Sequence, residues 1–450
     1  MPKITFVGAG SVVFAKKLLE DVFSYPSLKD SEIYLMDIDP HRLSIIDKVA
    51  KNLKEILGYK TVINSSTDLE EALKGANYVI NMIQVGGLEA YNLDIEIPKK
   101  YGINQAVGDT LGPGGVFRAL RTIPELITIL KKMEKLCPDA LFINYTNPMA
   151  INCWAMNEIS NIKNVGLCHS VQNTAKDISS YLKVPLEEVY YRTAGINHQA
   201  WFLEYKWKGK NLYPLLKEKY NDPEVYIRDV TKFEILKYFG YFVTESSIHM
   251  SEYVPYFRKN EYWIKKIHEY ERKSTDKIQK DRDLRWSTND EAGVYLKICK
   301  ELAKNFDKDM EELLGTKEMN ISASDEYGIQ IINSMETNQS IVIHGNVKNQ
   351  NLITNLPVDA CVEVPCLVNK NGIQPTIIGD LPPQLAAINR TNINVQELAV
   401  IGALKGDKNA IHQAIMMDPL TSALLTLPEI ESMTNELFEK ESKYLCQFSE

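Results

Sequence analysis

The sequence contains no run of about 18 apolar residues, the length that a membrane-spanning helix requires. Basic residues are not in excess either: 51 Lys and Arg against 59 Asp and Glu give a net charge of −8. A nucleic-acid-binding protein normally has a basic surface, so this balance argues against that class. The apolar residues 4–7 run directly into glycines and lack the longer core of a signal peptide. We therefore expect neither a membrane nor a nucleic acid as a partner.

Cysteine is scarce and irregularly placed. The 7 Cys residues are an odd number without regular spacing, unlike the framework of a disulfide-rich secreted domain. Free thiols persist in reducing compartments. The cysteines therefore predict a cytoplasmic protein.

The patterns that are present predict an α/β protein. A length of 450 residues predicts two domains, which we place at residues 1–195 and 196–450. The first half alternates helical patterns with β-rich apolar runs, which predicts a Rossmann domain, a doubly wound parallel sheet. The second half mixes both periodicities. The main predicted strands are residues 3–7, 32–37, 61–63, 78–83, 140–144, 165–168, 199–206, 340–345 and 360–368.

Glycines after the first strand predict a dinucleotide site. Gly8, Gly10 and Ser11 stand between the first strand and the first helical pattern, where a backbone without side chains can approach a pyrophosphate. The third glycine of the usual fingerprint is replaced by Val13, so these glycines alone are a weak signal. Asp37 ends the second strand and can accept hydrogen bonds from ribose hydroxyls, which favours NAD over NADP. The neighbouring Asp39 has an alternative function as a helix cap.

Ligands of such sheets bind beyond the carboxyl ends of the strands. Five motifs lie at those ends, and we expect one cleft lined by all of them. They are residues 8–11, Asp37, the Val85-Gly86-Gly87 turn, residues 144–148 and Cys168.

A glycine-rich stretch at residues 107–118 precedes a helical pattern. Its Gly112-Pro113-Gly114-Gly115 run predicts a loop, because glycine and proline interrupt helices. Asp109 in this stretch is a candidate catalytic acid. The alternative is a turn carboxylate that binds its own backbone.

Cys168 and His198 form a candidate metal pair. Cys168 ends one strand pattern and His198 directly precedes another, and their separation of 30 positions rules out a local zinc knuckle. The pair can meet only if the fold brings two segments to one edge. We predict that they hold one divalent ion. Taken singly, each has a simpler interpretation, a small buried thiol or a hydrogen-bonded core imidazole.

The ordered set of motifs resembles the NAD- and metal-dependent family 4 glycoside hydrolases. It extends through nearly half of the chain, and no single motif in it is specific. The matching pieces are Gly8-Ala-Gly10-Ser11, Met36-Asp37-Ile-Asp39, Val85-Gly-Gly87, Thr110-Leu-Gly-Pro-Gly-Gly115, Arg118-Ala-Leu-Arg-Thr-Ile-Pro124, Asn144-Tyr-Thr-Asn147-Pro148, Cys168-His-Ser-Val171 and Gly195-Ile-Asn-His198.

This resemblance implies a Rossmann domain followed by a mixed α/β domain like that of lactate and malate dehydrogenases. It implies Cys168 and His198 as ligands of Mn²⁺, Asn147 as a sugar contact, and Val85 and Gly86 as further contacts of NAD. A thiolate, an imidazole and open oxygen positions suit Mn²⁺. The implied partners are a small sugar substrate and further copies of this chain, in a homodimer or homotetramer.

The resemblance also implies a reaction in which NAD⁺ oxidises the sugar at C3, a base removes the C2 proton, and the glycosidic bond breaks by elimination. Water then adds and C3 is reduced. The two-carboxylate scheme of most glycosidases does not apply. Asp109 aligns near the glycosidic oxygen, and His169 sits where some members carry an acid. For the base, residues 240–253 depart from the family pattern and leave Glu245, His249 and Tyr253 open, with Glu245 and His249 preferred.

The substrate subclass follows from two features. Cys168-His-Ser-Val171 resembles the α-galactosidase branch, and no Arg between Arg42 and Arg118 is available to clamp a sugar phosphate. Non-phosphorylated α-galactosides are the first expectation, and α-glucosides, α-galacturonides or α-glucuronides the second. Two rival interpretations are a 2-hydroxy-acid dehydrogenase and a non-catalytic nucleotide-binding protein. Neither explains the Cys168–His198 pair.

Overall fold

The computed structural model describes residues 1–11, 15–270, 292–314 and 324–448. Twelve strands of this part of the chain form one continuous sheet. They are β1 (Lys3–Val7), β2 (Glu32–Met36), β3 (Val62–Ser66), β4 (Tyr78–Asn81), β5 (Leu141–Asn144), β6 (Asn164–Gly166), β7 (Val189–Ile196), β8 (Gln199–Trp207), β9 (Lys210–Asn211), β10 (Ile341–Lys348), β11 (Cys361–Asn369) and β12 (Gly372–Pro375).

Helices cover both faces of this sheet and extend beyond it. In chain order the described ones are α1 (Ala15–Ser24), α2 (Pro40–Leu57), α3 (Leu69–Leu73), α4 (Gly87–Lys100), α5 (Gly112–Leu136), α6 (Met149–Ile159), α7 (Ser170–Leu182), α8 (Tyr213–Glu218), α9 (Pro223–Tyr226), α10 (Val230–Phe239), α11 (Ser247–Met250), α12 (Glu261–Ile267), α13 (Val294–Leu314), α14 (Tyr327–Thr337), α15 (Pro383–Lys405), α16 (Lys408–Met417), α17 (Pro419–Leu424) and α18 (Leu427–Lys440).

The N-terminal part of the sheet is parallel, in the order β3-β2-β1-β4-β5-β6. This is the doubly wound Rossmann order, which places the ligand cleft beyond the carboxyl ends of its strands. All residues of β1, β4 and β5 are buried, as expected of parallel strands covered on both faces. The predicted α/β fold with an N-terminal doubly wound sheet is confirmed.

The C-terminal half adds an antiparallel part in the order β10-β11-β7-β8-β9, and β12 pairs with β11. The β10–β11 hairpin is inserted between β6 and β7. Its register forms a row of four residues across neighbouring strands, Gly166, Asn346, Glu363 and Gly195. Cys168 follows the first of these by two residues and His198 follows the last by three. The hairpin therefore determines how far apart the two candidate ligands stand.

One local prediction is wrong: Gly112-Pro113-Gly114-Gly115 is not a loop but the first turn of α5. Proline is tolerated there because the N–H groups of a first turn have no partner within the helix. The glycines are needed for close packing. An added Cβ would meet the Asp94 carbonyl oxygen at 2.5 Å from Gly114, and the Thr110 carbonyl carbon at 2.5 Å from Gly115. The loop that carries Asp109 ends just before this helix.

The strands predicted near residues 199, 340 and 360 are present as β8, β10 and β11. The predicted division at residues 195 and 196 falls within β7, and the division into two domains stays a prediction. No helix of the described residues combines the length and apolarity needed to cross a membrane. The charge-rich pattern of residues 262–280 predicts a solvent-facing helix. Its first part lies in α12, and residues 271–280 lie outside the described part of the chain.

Candidate active site

Three side chains with metal-ligand chemistry meet at the carboxyl edge of the sheet. Cys168 lies between β6 and α7, His198 lies in the turn between β7 and β8, and Glu245 follows Val243, which bridges to Trp201 of β8. The ligand atoms of Cys168, His198 and Glu245 all lie within 4.8 Å of one another. Cys168 Sγ is 3.2 Å from His198 Nε2, and His198 Nε2 is 3.4 Å from Glu245 Oε2.

The electrostatics of this cluster favour a cation. Burial raises the pKa of the Cys168 thiol, and the carboxyl groups of Glu245 and Glu363 raise it further. Burial also raises the pKa of Glu363, to about 8. Burial acts in the same sense on Glu245, but the charges of His198 and His249 outweigh it and lower the pKa to about 2. A thiol, an imidazole and a carboxylate form a donor set that suits a borderline divalent ion. Such an ion would offset the negative charge of the Glu245 carboxylate.

His249 lies behind His198 and away from the ligand cluster. His198 Nδ1 is 3.1 Å from His249 Nε2 and 2.9 Å from the Tyr253 hydroxyl. His249 Nδ1 is in turn 3.1 Å from Glu252 Oε2. His249 belongs to the short helix α11, whose first turn is capped by the Ser246 hydroxyl. The structure thus brings Cys168, His198, Glu245 and His249 together.

Asp109 lies on the Nε2 side of His249, with its Oδ1 atom 3.9 Å from that nitrogen. The Thr110 hydroxyl donates a hydrogen bond of 2.7 Å to Asp109 Oδ1, and Asn147 Nδ2 donates one of 3.3 Å to Oδ2. Burial raises the pKa of Asp109, but the Arg118 guanidinium, 3.8 Å away, and His249 outweigh it, so the pKa is lowered. Asp109 is therefore held by side chains, in addition to its turn.

His169 is less enclosed than the other candidates. Its side chain is half exposed, and Nδ1 lies 3.9 Å from the buried carboxylate of Glu326. Lys17 Nζ, 2.9 Å from the same Glu326 oxygen, shares this partner. His169 therefore lies at the rim of the site. It is next to Cys168 in the chain, but its ring faces Glu326.

The turn after β1 has the geometry of a dinucleotide cradle. Gly8 has φ +82°, and a Cβ there would meet the Ile83 backbone nitrogen at 2.9 Å. The Gly10 N–H donates to Asp37 Oδ2 at 2.7 Å, and a Cβ at Gly10 would meet that oxygen at 2.9 Å. Ser11 N–H closes the turn by donating to the Gly8 carbonyl at 3.0 Å. Only glycine permits this approach of β1, β2 and β4, so the residues fit the pyrophosphate of a dinucleotide.

The two acids after β2 have different contacts. Asp39 caps α2 by accepting from the N–H groups of His41 and Arg42. Asp37 Oδ1 accepts from the Asp39 N–H at 2.8 Å. The Arg42 guanidinium lies 3.7 Å from Asp39 and 5.5 Å from the ring centre of Phe306. It is therefore directed to Asp39 and the Phe306 ring.

The Val85-Gly86 turn is held from behind by a buried arginine. Arg121 Nε donates to the Val85 carbonyl at 3.0 Å. Gly86 has φ +78°, and a Cβ there would meet the Ala90 side chain at 2.5 Å and the Tyr444 ring at 3.3 Å. The turn therefore packs against the C-terminal segment of the chain and against α4, a helix that the sequence patterns did not predict.

Several residues of the site were not found from the sequence. Glu252 was not considered, although the three-residue spacing of His249 and Glu252 would have indicated that they face each other. Glu363 and Asn346 lie on the inserted hairpin, where no local pattern indicates proximity to Cys168. Asn197 is buried, and neither of its amide atoms has a hydrogen-bond partner within the described residues.

Comparison with known proteins shows similarity over the whole chain. Residues 3–184 match the model of the family 4 glycosyl hydrolases, and residues 193–421 match that of the family 4 glycosyl hydrolase C-terminal domain. An alpha-galactosidase from Bacillus subtilis (strain 168) is 44% identical over 450 residues, with 100% of both chains covered. An alpha-galactosidase from Rhizobium meliloti (strain 1021) is 36% identical over 453 residues, covering 99% of this chain and 90% of that protein.

A solved structure with the same fold is a 6-phospho-alpha-glucosidase from gut microorganisms, determined in complex with NAD and Mn²⁺. It superposes with a TM-score of 0.80 at 20% sequence identity, with 98% of each chain covered. At this identity the superposition shows that the two proteins share their fold.

Proposed function

The chain belongs to the family 4 glycosyl hydrolases, and we propose that it hydrolyses non-phosphorylated α-galactosides with the help of NAD and a divalent metal ion, Mn²⁺ before others. The observation that carries this proposal is the Cys168–His198–Glu245 cluster at the same sheet edge as the dinucleotide-type turn. The α-galactosidase relatives at 44% and 36% identity support the choice of sugar.

The proposed ligands of the metal are Cys168 and His198, and Glu245 offers a third donor atom. The proposed contacts of NAD are Gly8, Gly10, Ser11, Asp37, Val85 and Gly86. When bound, NAD supplies a reversible hydride acceptor and the metal supplies a Lewis acid.

The remaining roles concern protons. We assign the base to Glu245, whose lowered pKa leaves its carboxylate unprotonated at neutral pH; in this role it takes the C2 proton and does not bind the metal. His249 is less suited, because both its ring nitrogens already lie against other groups. Asp109 stays charged beside Arg118. Near the glycosidic oxygen, Asp109 accepts hydrogen bonds from the sugar and Asn147 donates hydrogen bonds to it. His169 at the rim, next to the Glu326 carboxylate, is then the proposed proton donor to the leaving group.

Two further observations support a neutral sugar. Arg118 and Arg121, the first arginines after the Val85-Gly86 turn in the chain, already form ion pairs, Arg118 with Asp109 and Arg121 with Asp94 and Glu441. A phosphate clamp would need a free guanidinium. Buried side-chain atoms of Asn197 and Glu363, which have no hydrogen-bond partner among the described residues, offer partners to sugar hydroxyls.

The test is release of nitrophenol from nitrophenyl α-galactoside by the full chain, with NAD⁺ and Mn²⁺ each added or omitted. We expect release only when both are present, and no release from Cys168→Ser. The matching α-glucoside, α-galacturonide and 6-phospho-α-glucoside test the sugar. Equal activity after removal of NAD⁺ and metal would refute the proposal. Preference for another sugar would refute the substrate but leave the mechanism.

We also propose a cytoplasmic homodimer or homotetramer. All 7 cysteines are free, and a thiol ligand at Cys168 requires reducing surroundings. Tyr256 and Met417 are about half exposed and line an apolar groove that a second copy could cover. Light scattering after size-exclusion chromatography should give two or four times the chain mass, and cell fractionation tests the location. A monomeric mass would refute the assembly.

A further inference from the structure

The buried carboxylate of Glu252 joins two parts of the site that are far apart in sequence. Its side chain is 1% exposed. Glu252 Oε1 accepts from the Val107 N–H at 2.8 Å, and Oε2 accepts from the Gly108 N–H at 3.1 Å. These two amides immediately precede Asp109. Oε2 also lies 3.1 Å from His249 Nδ1. One carboxylate thus holds both the loop of Asp109 and the ring of His249.

The contacts of His198 determine which ring nitrogens of His198 and His249 carry a proton. Its Nε2 atom faces Cys168 and Glu245, so a metal bound there leaves the ring proton on Nδ1. The proton on Nδ1 faces His249 Nε2 at 3.1 Å and the Tyr253 hydroxyl at 2.9 Å. It can be donated directly to His249, or to the tyrosine, whose own proton then points to His249 Nε2, 3.5 Å away.

Both routes require the same tautomer of His249. Its Nε2 must accept a hydrogen bond, so its proton must lie on Nδ1, where it is donated to Glu252. A carboxylate that fixes a metal-binding histidine through its second ring nitrogen makes the ligand more basic and better oriented. Here that carboxylate acts through one intervening histidine.

We propose that Glu252 is a positioning residue that couples the metal site to the loop carrying Asp109. It fixes His249, and thereby His198, in the form that binds a metal, and it holds the Val107 and Gly108 amides. The inference rests on the proposed function, because it needs a metal at Cys168 and His198. Metal binding and the order of the Asp109 loop are then linked through a single carboxylate.

The first measurement is Mn²⁺ affinity of the full-length, chelator-stripped protein, from the electron paramagnetic resonance signal of free Mn²⁺. We expect Glu252→Gln to bind Mn²⁺ about 10- to 100-fold more weakly than the wild type, the usual loss for such partners of a ligand. The matched control is Glu234→Gln. Glu234 is also buried and accepts hydrogen bonds from Tyr220 and Tyr226, away from the cluster. The Glu234→Gln variant should bind Mn²⁺ with the same affinity as the wild type.

The second measurement is hydrogen–deuterium exchange of residues 105–111 with and without Mn²⁺. We expect Mn²⁺ to slow exchange in the wild type and in Glu234→Gln, and to have no effect in His249→Gln, in which the chain of contacts is broken. His249→Gln should also lose Mn²⁺ affinity, so it carries the test if Glu252→Gln does not fold.

Wild-type affinity in a folded Glu252→Gln or His249→Gln variant would overturn the inference. The inference would also be overturned if Mn²⁺ did not change the hydrogen–deuterium exchange of residues 105–111 in the wild type. If the wild type and Cys168→Ser bind Mn²⁺ equally, the metal site itself is wrong and the proposed function fails with it. That outcome is distinct, because it does not involve Glu252.

Discussion

His198 and Glu245 both have left-handed backbone conformations, with φ of +62° and +76°, while their Nε2 and Oε2 atoms lie 3.4 Å apart. A residue with a Cβ atom is destabilised in this region by about 1 kcal/mol. Two of the three side chains of the metal cluster are therefore held by strained backbone. Strain of this kind tends to occur at functional sites, where the surrounding structure maintains it.

Both Glu245→Gly and Glu245→Ala remove the carboxylate. The Gly variant should also relieve the backbone strain, whereas the Ala variant keeps that strain. We expect Glu245→Gly to be more stable than Glu245→Ala by about 1 kcal/mol in chemical denaturation, because glycine adopts positive φ freely. Both variants should lose hydrolysis. Lys183, at φ +55° at the end of α7, is the control. Its Gly and Ala variants should differ in stability by the same amount and keep activity. Equal stability of the two Glu245 variants would contradict strain at this position.

Asp37 and Asp39 should separate cofactor binding from folding. Loss of a charged hydrogen-bond acceptor costs about 1.5–3 kcal/mol, so Asp37→Ala should weaken NAD⁺ binding about 10- to 100-fold. Asp39→Ala removes the cap of α2 and should lower stability by about 1 kcal/mol with a smaller change in NAD⁺ affinity. Fluorescence titration and thermal unfolding measure the two effects. A reversed pattern would place the ribose contact at Asp39.

His344 should make stability fall in mild acid. Burial lowers the pKa of His344 to about 4, and neither ring nitrogen has a partner among the described residues. The unfolded pKa is about 6.5, so between these values the unfolded chain binds a proton that the native protein does not. The stabilisation is therefore complete above about pH 6.5 and is lost as pH falls toward about 4, by about 3 kcal/mol in total.

The control for this effect is His344→Phe, which cannot titrate but can keep the stacking on Tyr191, whose ring centre lies 5.8 Å away. Urea denaturation at several pH values from 7.5 to 4.5 should show a shallower loss for this variant than for the wild type. Parallel pH profiles for the two proteins would assign the acid sensitivity to other groups.

Arg121 should be among the most sensitive positions for stability. Its guanidinium and the carboxylates of Asp94 and Glu441 are all fully buried, with nitrogen–oxygen contacts of 2.9 Å to each acid. Removing one partner leaves a buried charge uncompensated, so Arg121→Met should cost about 3–5 kcal/mol. The partly exposed Arg192–Glu204 pair gives the control, and Arg192→Met should cost less than about 1 kcal/mol. Chemical denaturation measures both, and similar losses would contradict this ranking.

The Rossmann half could be predicted because its signals are local. β1 and β4 are short apolar runs, Gly8 and Gly10 follow β1, and Asp37 follows β2, at spacings that strand–turn–helix geometry dictates. Cys168 and His198 could be paired because each adjoins a strand pattern and because the ordered motifs resemble those of the family 4 glycoside hydrolases. The first turn of α5 was missed because close packing, which includes Asp94 of α4, outweighed the low local helix propensity of its glycines.

The sequence by itself therefore determined the parallel sheet, the dinucleotide-type turn and the candidate metal pair, since periodicity and turn chemistry are properties of neighbouring residues. Only the tertiary structure decided that the β10–β11 hairpin separates β6 from β7, and that Glu363 lies between the two ligand segments. It also brought Glu252 to the Val107 amide, 145 residues away in the chain. Such contacts depend on which distant segments pack together, and that is set by burial of the whole core.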